Sequence, residues 1–151
     1  MLKSGCVVVA ALAAVSLAAC TSQKSEPVAP PEPRLLAGVD LDKAIVALGN
    51  EPFWNIDIDG QKAAYSDPEL TTPVEGTVQG PVITGNVAEW RASLSNGTHA
   101  VLTIAGTDCS DGMSDRTYPL AARLQLGETT YTGCAASKAA LDKAGESGRV
   151  E

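Results

Sequence analysis

Short runs of alternating apolar and polar residues, separated by turn-forming residues, place the strongest constraint on the fold of this chain. Trp54, Ile56 and Ile58 alternate with Asn55 and Asp57, and the same period of two recurs at 90–94 and 120–126. A period of two puts the apolar side chains on one face of a strand, which is typical of antiparallel sheet with one buried face. The sequence therefore predicts an all-β domain.

Turn residues divide this domain into about eight short strands. The predicted strands lie at 44–48, 53–59, 62–66, 73–78, 82–94, 99–105, 116–126 and 129–134. The predicted hairpin turns are at Asp59-Gly60, Gly80-Pro81, Asn96-Gly97 and Gly127-Glu128. Strands of this number and length indicate a small antiparallel barrel or sandwich, because both architectures protect strand edges.

Different compositions flank the β domain, which we place at 39–136. Residues 20–38 are rich in proline, which predicts a disordered, extended tether. Residues 137–151 contain one short helical pattern, ended by Gly145, and are predicted to be a frayed tail.

The first 19 residues have the layout of an export signal. Lys3 provides the positive charge, and the stretch of 12 mainly apolar residues from Cys6 to Leu17 is too short to span a bilayer as a helix. Leu17-Ala18-Ala19-Cys20 resembles the lipobox of bacterial lipoproteins. The resemblance implies cleavage before Cys20 and attachment of acyl chains, such as palmitate, to that residue. An ordinary secretory signal and a short buried helix are the alternatives.

Two or three acyl chains would hold the protein stably on a membrane without spanning it. Thr21, rather than Asp, follows the lipidated position. By resemblance to lipoprotein sorting in Gram-negative bacteria, this favours the periplasmic face of the outer membrane.

The chain is acidic. Lys3 is the single charged residue of the signal, so the remainder has 10 basic residues against 18 acidic ones, a formal net charge of −8. Nucleic-acid binding relies on Lys and Arg to neutralise phosphates, so the composition argues against that partner.

Cys109 and Cys134 are the cysteines left after removal of the signal and lipidation of Cys20. An exported domain meets an oxidising compartment, so we predict a disulfide between them. Such a bridge stabilises by about 3.5 kcal/mol on the chain-entropy argument. Two free thiols or half of a metal site are the alternatives, but His99 is the sole histidine and no C-x-x-C is present.

Two stretches stand out, Gly49-Asn50-Glu51-Pro52-Phe53-Trp54 and Cys109-Ser110-Asp111-Gly112-Met113-Ser114-Asp115. The second is followed by Tyr118-Pro119 and later by Gly133-Cys134-Ala135. Together they resemble a family of small bacterial envelope lipoproteins of unknown function, found in the context of META-type heat-shock lipoproteins. The resemblance covers about residues 45–136 and implies no established activity.

These stretches supply the candidate ligand or partner site: Glu51, Trp54, Asp111, Ser114, Asp115 and Tyr118. The structural alternatives are a core role for Trp54 and a turn around Gly112, capped by Asp111, Ser114 and Asp115. An EF-hand starting at Asp108 fails, because position twelve is Pro119 where Glu is required. We predict no metal and no cofactor.

Three functions remain open. The favoured one is a lipid-anchored, non-enzymatic binding or structural module that meets an envelope protein or a small ligand. The alternative is an inhibitor of a lysozyme-like or other envelope enzyme, since the segment from Trp90 to Cys109 is loosely similar to lysozyme-inhibitor sheets and negative charge steers a protein towards a basic enzyme. An enzyme is the least favoured. It would need Glu51 to act with Asp111 or Asp115 as a carboxylate pair.

Overall fold

The computed structural model describes residues 31–151, so the predicted signal peptide, Cys20 and the tether up to residue 30 lie outside the described residues. The elements are β1 (Leu35–Leu36), β2 (Val39–Asp40), β3 (Ile45–Asn50), β4 (Phe53–Asp59), β5 (Lys62–Ser66), β6 (Val74–Thr84), β7 (Val87–Leu94), β8 (His99–Ala105), β9 (Asp115–Thr117), β10 (Leu120–Leu126), β11 (Thr129–Ser137), α1 (Lys138–Lys143) and β12 (Ser147–Arg149).

Eight antiparallel strands close into a barrel in the order β10-β11-β3-β4-β5-β6-β7-β8, with β8 pairing back onto β10. The all-β prediction is confirmed, and the architecture is the barrel rather than the sandwich. Inward side chains alternate along each strand and fill the interior, as expected for a barrel of this size. The largest fully buried side chains of the barrel interior are Trp90, Ile45, Ile56, Leu102, Ile104, Leu120 and Leu124.

The two ends of the barrel differ. At the end where β3 begins, which we call the tether end, Leu36 and Leu41 from the N-terminal segment join the barrel core. The segment is held by Arg34, whose side chain donates to Asp42 and to the carbonyl of Pro81. Residues 35–38 are thus part of the fold, not of a disordered tether, because β1 pairs with β2 and the buried side chain of Leu36 packs into the barrel core. The opposite end, with the turn between β3 and β4, we call the far end.

The prediction of a hairpin turn at Gly80-Pro81 is wrong. Both residues lie inside β6, where the register with β7 shifts between Gln79 and Val82, and the chain reverses instead between Thr84 and Val87. Gly80 has a φ of 118° and Pro81 has no N–H to donate, so the pair forms a β-bulge instead of a turn. The predicted strand 82–94 is therefore split between β6 and β7.

The predicted frayed tail is also wrong. Ser137 caps α1 by accepting a hydrogen bond from the N–H of Ala140, and β12 pairs in parallel with β9. Val150 is 1% exposed and packs with Tyr118, Cys134 and Ala140 on the outside of the barrel wall. The tail is ordered because this outward apolar surface has to be covered.

In the part of the chain that the structure describes, no helix is long and apolar enough to cross a membrane.

Candidate functional site

The two motif stretches, 61 residues apart in sequence, meet at the far end of the barrel. The side-chain amide of Asn50 donates a hydrogen bond of 2.8 Å to the backbone carbonyl of Asp111. The structure contains the predicted disulfide between Cys109 and Cys134, with 5.6 Å between the Cα atoms. Because Cys134 pairs with Leu48 of β3, the disulfide fixes the loop that follows Cys109 beside the end of β3.

The carboxylate of Asp111 organises this loop. One oxygen accepts hydrogen bonds from the backbone N–H groups of Met113 (3.0 Å) and Ser114 (2.9 Å). The other accepts from the hydroxyls of Ser114 (2.8 Å) and Tyr118 (3.1 Å). Gly112 has a φ of 72°, a left-handed conformation that favours glycine. The loop is therefore a closed, internally bonded turn, consistent with the structural alternative for these residues.

These hydrogen bonds also set the ionisation of Asp111. Burial alone would raise its pKa, but the four donated hydrogen bonds favour the charged form and lower the pKa to about 2. The carboxylate is therefore ionised at neutral pH, and its lone pairs are directed into the loop rather than towards a ligand.

Trp54 has a structural role as well. It is buried, and its indole N–H donates to the backbone carbonyl of Thr132 on β11 (3.2 Å). Pairing between β3 and β11 ends at Leu48 and Cys134, and beyond that point the indole links β4 to β11 across Gly49 of β3. Trp54 lies opposite Gly49, and a Cβ at Gly49 would lie 2.1 Å from the indole nitrogen. The Gly49–Trp54 spacing in the motif is thereby explained.

The remaining predicted residues separate into two groups. Ser114 and Tyr118 belong to the Asp111 network, and Tyr118 is also bonded to Cys109 through both backbone groups. Glu51 is exposed in the turn between β3 and β4, at the rim of the loop. Asp115 is exposed at the start of β9 and pairs through its backbone with Ser147, so it stands outside the network.

A groove lies between the two motif stretches. One wall is formed by Asn50 and Glu51, the other by residues 109–113, and Thr132 and Gly133 of β11 line it as well. A shallower groove on the other side of Asn50 reaches Phe53. Phe53 and Met113, which are 52% and 68% exposed, thus lie on either side of Asn50. We call Asn50, Glu51, Phe53, Asp111 and Met113 the motif surface.

Sequence reasoning missed three members of this surface. Asn50, Phe53 and Met113 were parts of the motifs, but their types suggested no chemistry. For Asn50, the one available signal is an amide side chain just after the end of a predicted strand, directly before Glu51-Pro52. Such a side chain readily forms a hydrogen bond with a nearby backbone group. The exposure of Phe53 follows from the period of two, which places it on the face opposite Trp54, with Asn55 and Asp57.

Within residues 31–151, no group of three or more His, Cys, Asp or Glu side chains is arranged to hold a metal ion. No protein-family model, curated protein or solved structure matches this chain. The resemblance to envelope lipoproteins therefore stays a prediction.

Proposed function

We propose that this chain is a lipid-anchored cell-envelope protein whose barrel is a non-enzymatic binding module, and that the motif surface is its binding site. The observation that carries the proposal is the meeting of the two motif stretches through the bond from Asn50 to the carbonyl of Asp111. Elements far apart in sequence are joined here into one preformed surface at one end of the barrel.

The construction of the surface supports binding. The loop is held by the Cys109–Cys134 disulfide and by four hydrogen bonds to Asp111, so little ordering entropy is lost when a partner docks. Exposed Phe53 and Met113 offer apolar anchors beside a polar groove, the usual composition of a protein interface.

The same geometry argues against the carboxylate-pair hydrolase. Asp111 has a pKa of about 2 and accepts four internal hydrogen bonds, so it is a poor proton donor and a poor nucleophile at neutral pH. Asp115 lies outside the network around Asp111. A pair of Glu51 and Asp111 is therefore unsuited to general acid catalysis at neutral pH.

The binding site can be tested by placing a photo-crosslinking amino acid at Met113 in the anchored protein in cells. The control position is Gln61, an exposed residue in the turn between β4 and β5 at the tether end. We expect a discrete adduct from Met113 that Glu51→Gln and Phe53→Ser weaken together. Equal yields of adduct from Met113 and Gln61 would refute the assignment of the motif surface as the binding site. An adduct from Met113 whose yield is unchanged by Glu51→Gln and Phe53→Ser would refute it as well.

The anchor is tested separately. Cys20→Ala should abolish incorporation of labelled palmitate and move the protein from the membrane fraction to the soluble envelope fraction. Continued palmitate labelling of this variant would contradict the lipobox assignment.

A second candidate function is inhibition of a lysozyme-like envelope enzyme by the loop from Ser110 to Met113. The observation that favours it is a rigid loop with an exposed Met113 at the end of an acidic protein. We expect inhibition of lysozyme at micromolar concentration that Met113→Asp relieves. Unchanged lysozyme turnover at that concentration rules this function out.

A further inference from the structure

The hairpin of β6 and β7 carries an exposed, uncharged apolar tip. Val82, Ile83 and Val87 are 68%, 37% and 38% exposed. No charged residue occurs from Gly76 to Ala88, although 19% of the whole chain is Asp, Glu, Lys or Arg. In an acidic protein of this size, such a segment is a marked local departure in composition.

The tip extends past its neighbouring strand. β5 pairs with β6 only from Val74 to Thr77, whereas β7 continues to pair with β6 as far as Thr84. Residues 82–84 are thus held by β7 alone. The first residue of β5, Lys62, lies at the tether end of the barrel and pairs with Thr77. Residues 82–84 come after Thr77 in β6 and therefore project beyond β5 at that end.

The point where the N-terminal segment enters the fold is adjacent. The guanidinium of Arg34 donates to the carbonyl of Pro81 (3.4 Å), and Asn86 in the hairpin turn donates to the carbonyl of Gly106 (2.8 Å). Ala37 also lies beside Gly106. Leu35, 56% exposed, is placed between these two contacts and therefore shares the end of the barrel with the hairpin tip.

We propose that Leu35, Val82, Ile83 and Val87, the tip patch, rest on the lipid bilayer. This rests on the lipid anchor of the proposed function. The segment that follows Cys20, from Thr21 to Leu35, is 15 residues long and proline-rich. Fully extended, it reaches about 45 Å, and it joins the barrel at the end that carries the tip patch. The anchor is therefore attached to the end of the barrel that carries the tip patch, and the motif surface lies at the opposite end.

The chemistry of the tip suits shallow contact with a bilayer rather than with a charged partner. Removing aliphatic side chains from water is favourable without a specific partner. Backbone groups of an open hairpin cannot be left unpaired in hydrocarbon, so the tip reaches only the interfacial level. The hairpin carries no charge from Gly76 to Ala88. The carboxylates of Glu89, which pairs with Val82, and of Asp42, which contacts Arg34, each form an ion pair with an arginine, which reduces their repulsion from anionic headgroups.

The test uses the lipidated protein reconstituted into phosphatidylethanolamine and phosphatidylglycerol vesicles. Val82→Cys and Met113→Cys are each labelled with an environment-sensitive fluorophore under non-reducing conditions. They are matched controls, because both residues are 68% exposed but lie at opposite ends of the barrel. We expect a blue shift at least several nanometres larger for the Val82 probe, and at least two-fold stronger quenching by lipids that carry a spin label near the headgroup.

Vesicle flotation distinguishes a failure of the lipid anchor from a failure of the membrane contact of the tip patch. Protein that floats with vesicles while the Val82 probe stays aqueous and unquenched retains the anchor but refutes the membrane contact. Protein that does not float overturns both. A Val82 signal that rises with protein density and ignores the quencher lipid would show that a second copy covers the tip, which also overturns the proposal. A Val87→Cys probe repeats the measurement if the first label perturbs folding.

Discussion

At the level of single residues, Gly49 and Trp54 depend on each other. They face each other on β3 and β4, and the indole passes over Gly49 to bond Thr132 on β11. A methyl group at Gly49 would lie 2.1 Å from the indole nitrogen and 2.6 Å from the carbonyl oxygen of Thr132. The backbone contact cannot be relieved by a change of rotamer, so the indole or a strand has to move.

We therefore predict that Gly49→Ala lowers the free energy of unfolding by about 2 kcal/mol, a typical cost of overpacking. Urea unfolding followed by tryptophan fluorescence measures it. Gly145→Ala is the matched control, since a Cβ there meets nothing within 4 Å. Similar stability for both variants would mean that the Gly49–Trp54 contact imposes no steric limit.

Asp111 should make stability depend on acidity. Its pKa is about 2 in the folded protein, below the ordinary value of about 3.9 for an unfolded chain. A lowered folded pKa contributes stability above the unfolded pKa, and that stability is lost as the pH falls towards the folded pKa. We expect Asp111→Asn to cost about 1 kcal/mol at pH 7, after allowance for solvent screening, and the cost to shrink as the pH falls from about 5 to about 2.

The control for this prediction is Asp115→Asn, which removes the same charge four residues later but outside the network. Its effect on the free energy of unfolding should be within about 0.5 kcal/mol of zero, as for most surface substitutions. An equal pH dependence in the two variants would show that net charge, and not the loop, is responsible.

Residues such as Asp111 also mark how far the sequence could predict the site. The cluster of Asp, Ser and Gly predicted a capped turn, because these side chains bond nearby backbone. Its contact with Asn50 depends on a strand and a loop 61 residues apart, and no local pattern encodes that distance.

At the level of elements, alternation predicted β4, β5 and β8 with the bounds that the structure has. The local pattern gave a wrong prediction where the same pair of residues is compatible with both a hairpin turn and a β-bulge. Gly80-Pro81 reads as a turn, but its neighbours Val78 and Val82 continue along β6 with β7 as partner, so the pair becomes a bulge. The local sequence cannot distinguish a turn from a bulge, because pairing with the neighbouring strand determines which of the two forms.

The C-terminal tail shows a second limit of local patterns. Its sequence is poor in large apolar residues, so Val150 gave no periodic signal. Its burial depends on an outward patch of Tyr118, Cys134 and Ala136 that only the closed barrel creates.

We predict that Val150→Ala lowers the free energy of unfolding by about 2 kcal/mol, because a fully buried valine loses that order of apolar contact. Urea unfolding without reductant keeps the disulfide intact during the measurement. Ser147→Ala, an exposed substitution on the same strand β12, should change the stability little. Equal effects would mean that the tail does not pack against the wall as the structure has it.

At the level of the whole molecule, the fold has a polarity. The N-terminal segment enters at one end, beside the tip patch, and the motif surface lies at the other. Strand β4, with 7 residues, is about 23 Å long, and a barrel strand tilts by about 40° from the axis, so the two ends are separated by about 18 Å. If the tip patch contacts the bilayer, as proposed above, the motif surface faces away from it.

This polarity leads to a prediction about the tether. Deleting residues 22–30 removes about 28 Å of extended reach, which would bring the barrel close to the membrane. If the tip patch faces the bilayer, the motif surface stays exposed after this deletion.

A cysteine at Met113 in the vesicle-bound protein should then react with a bulky polyethylene-glycol maleimide within two-fold of its rate in the full-length protein. A cysteine at Gln61, which is exposed at the tether end, should react several-fold more slowly once the tether is short. If the cysteine at Met113 instead reacted more slowly after the deletion while the cysteine at Gln61 kept its rate, the motif surface would lie against the membrane. It could then not be the site for a partner that arrives from the envelope.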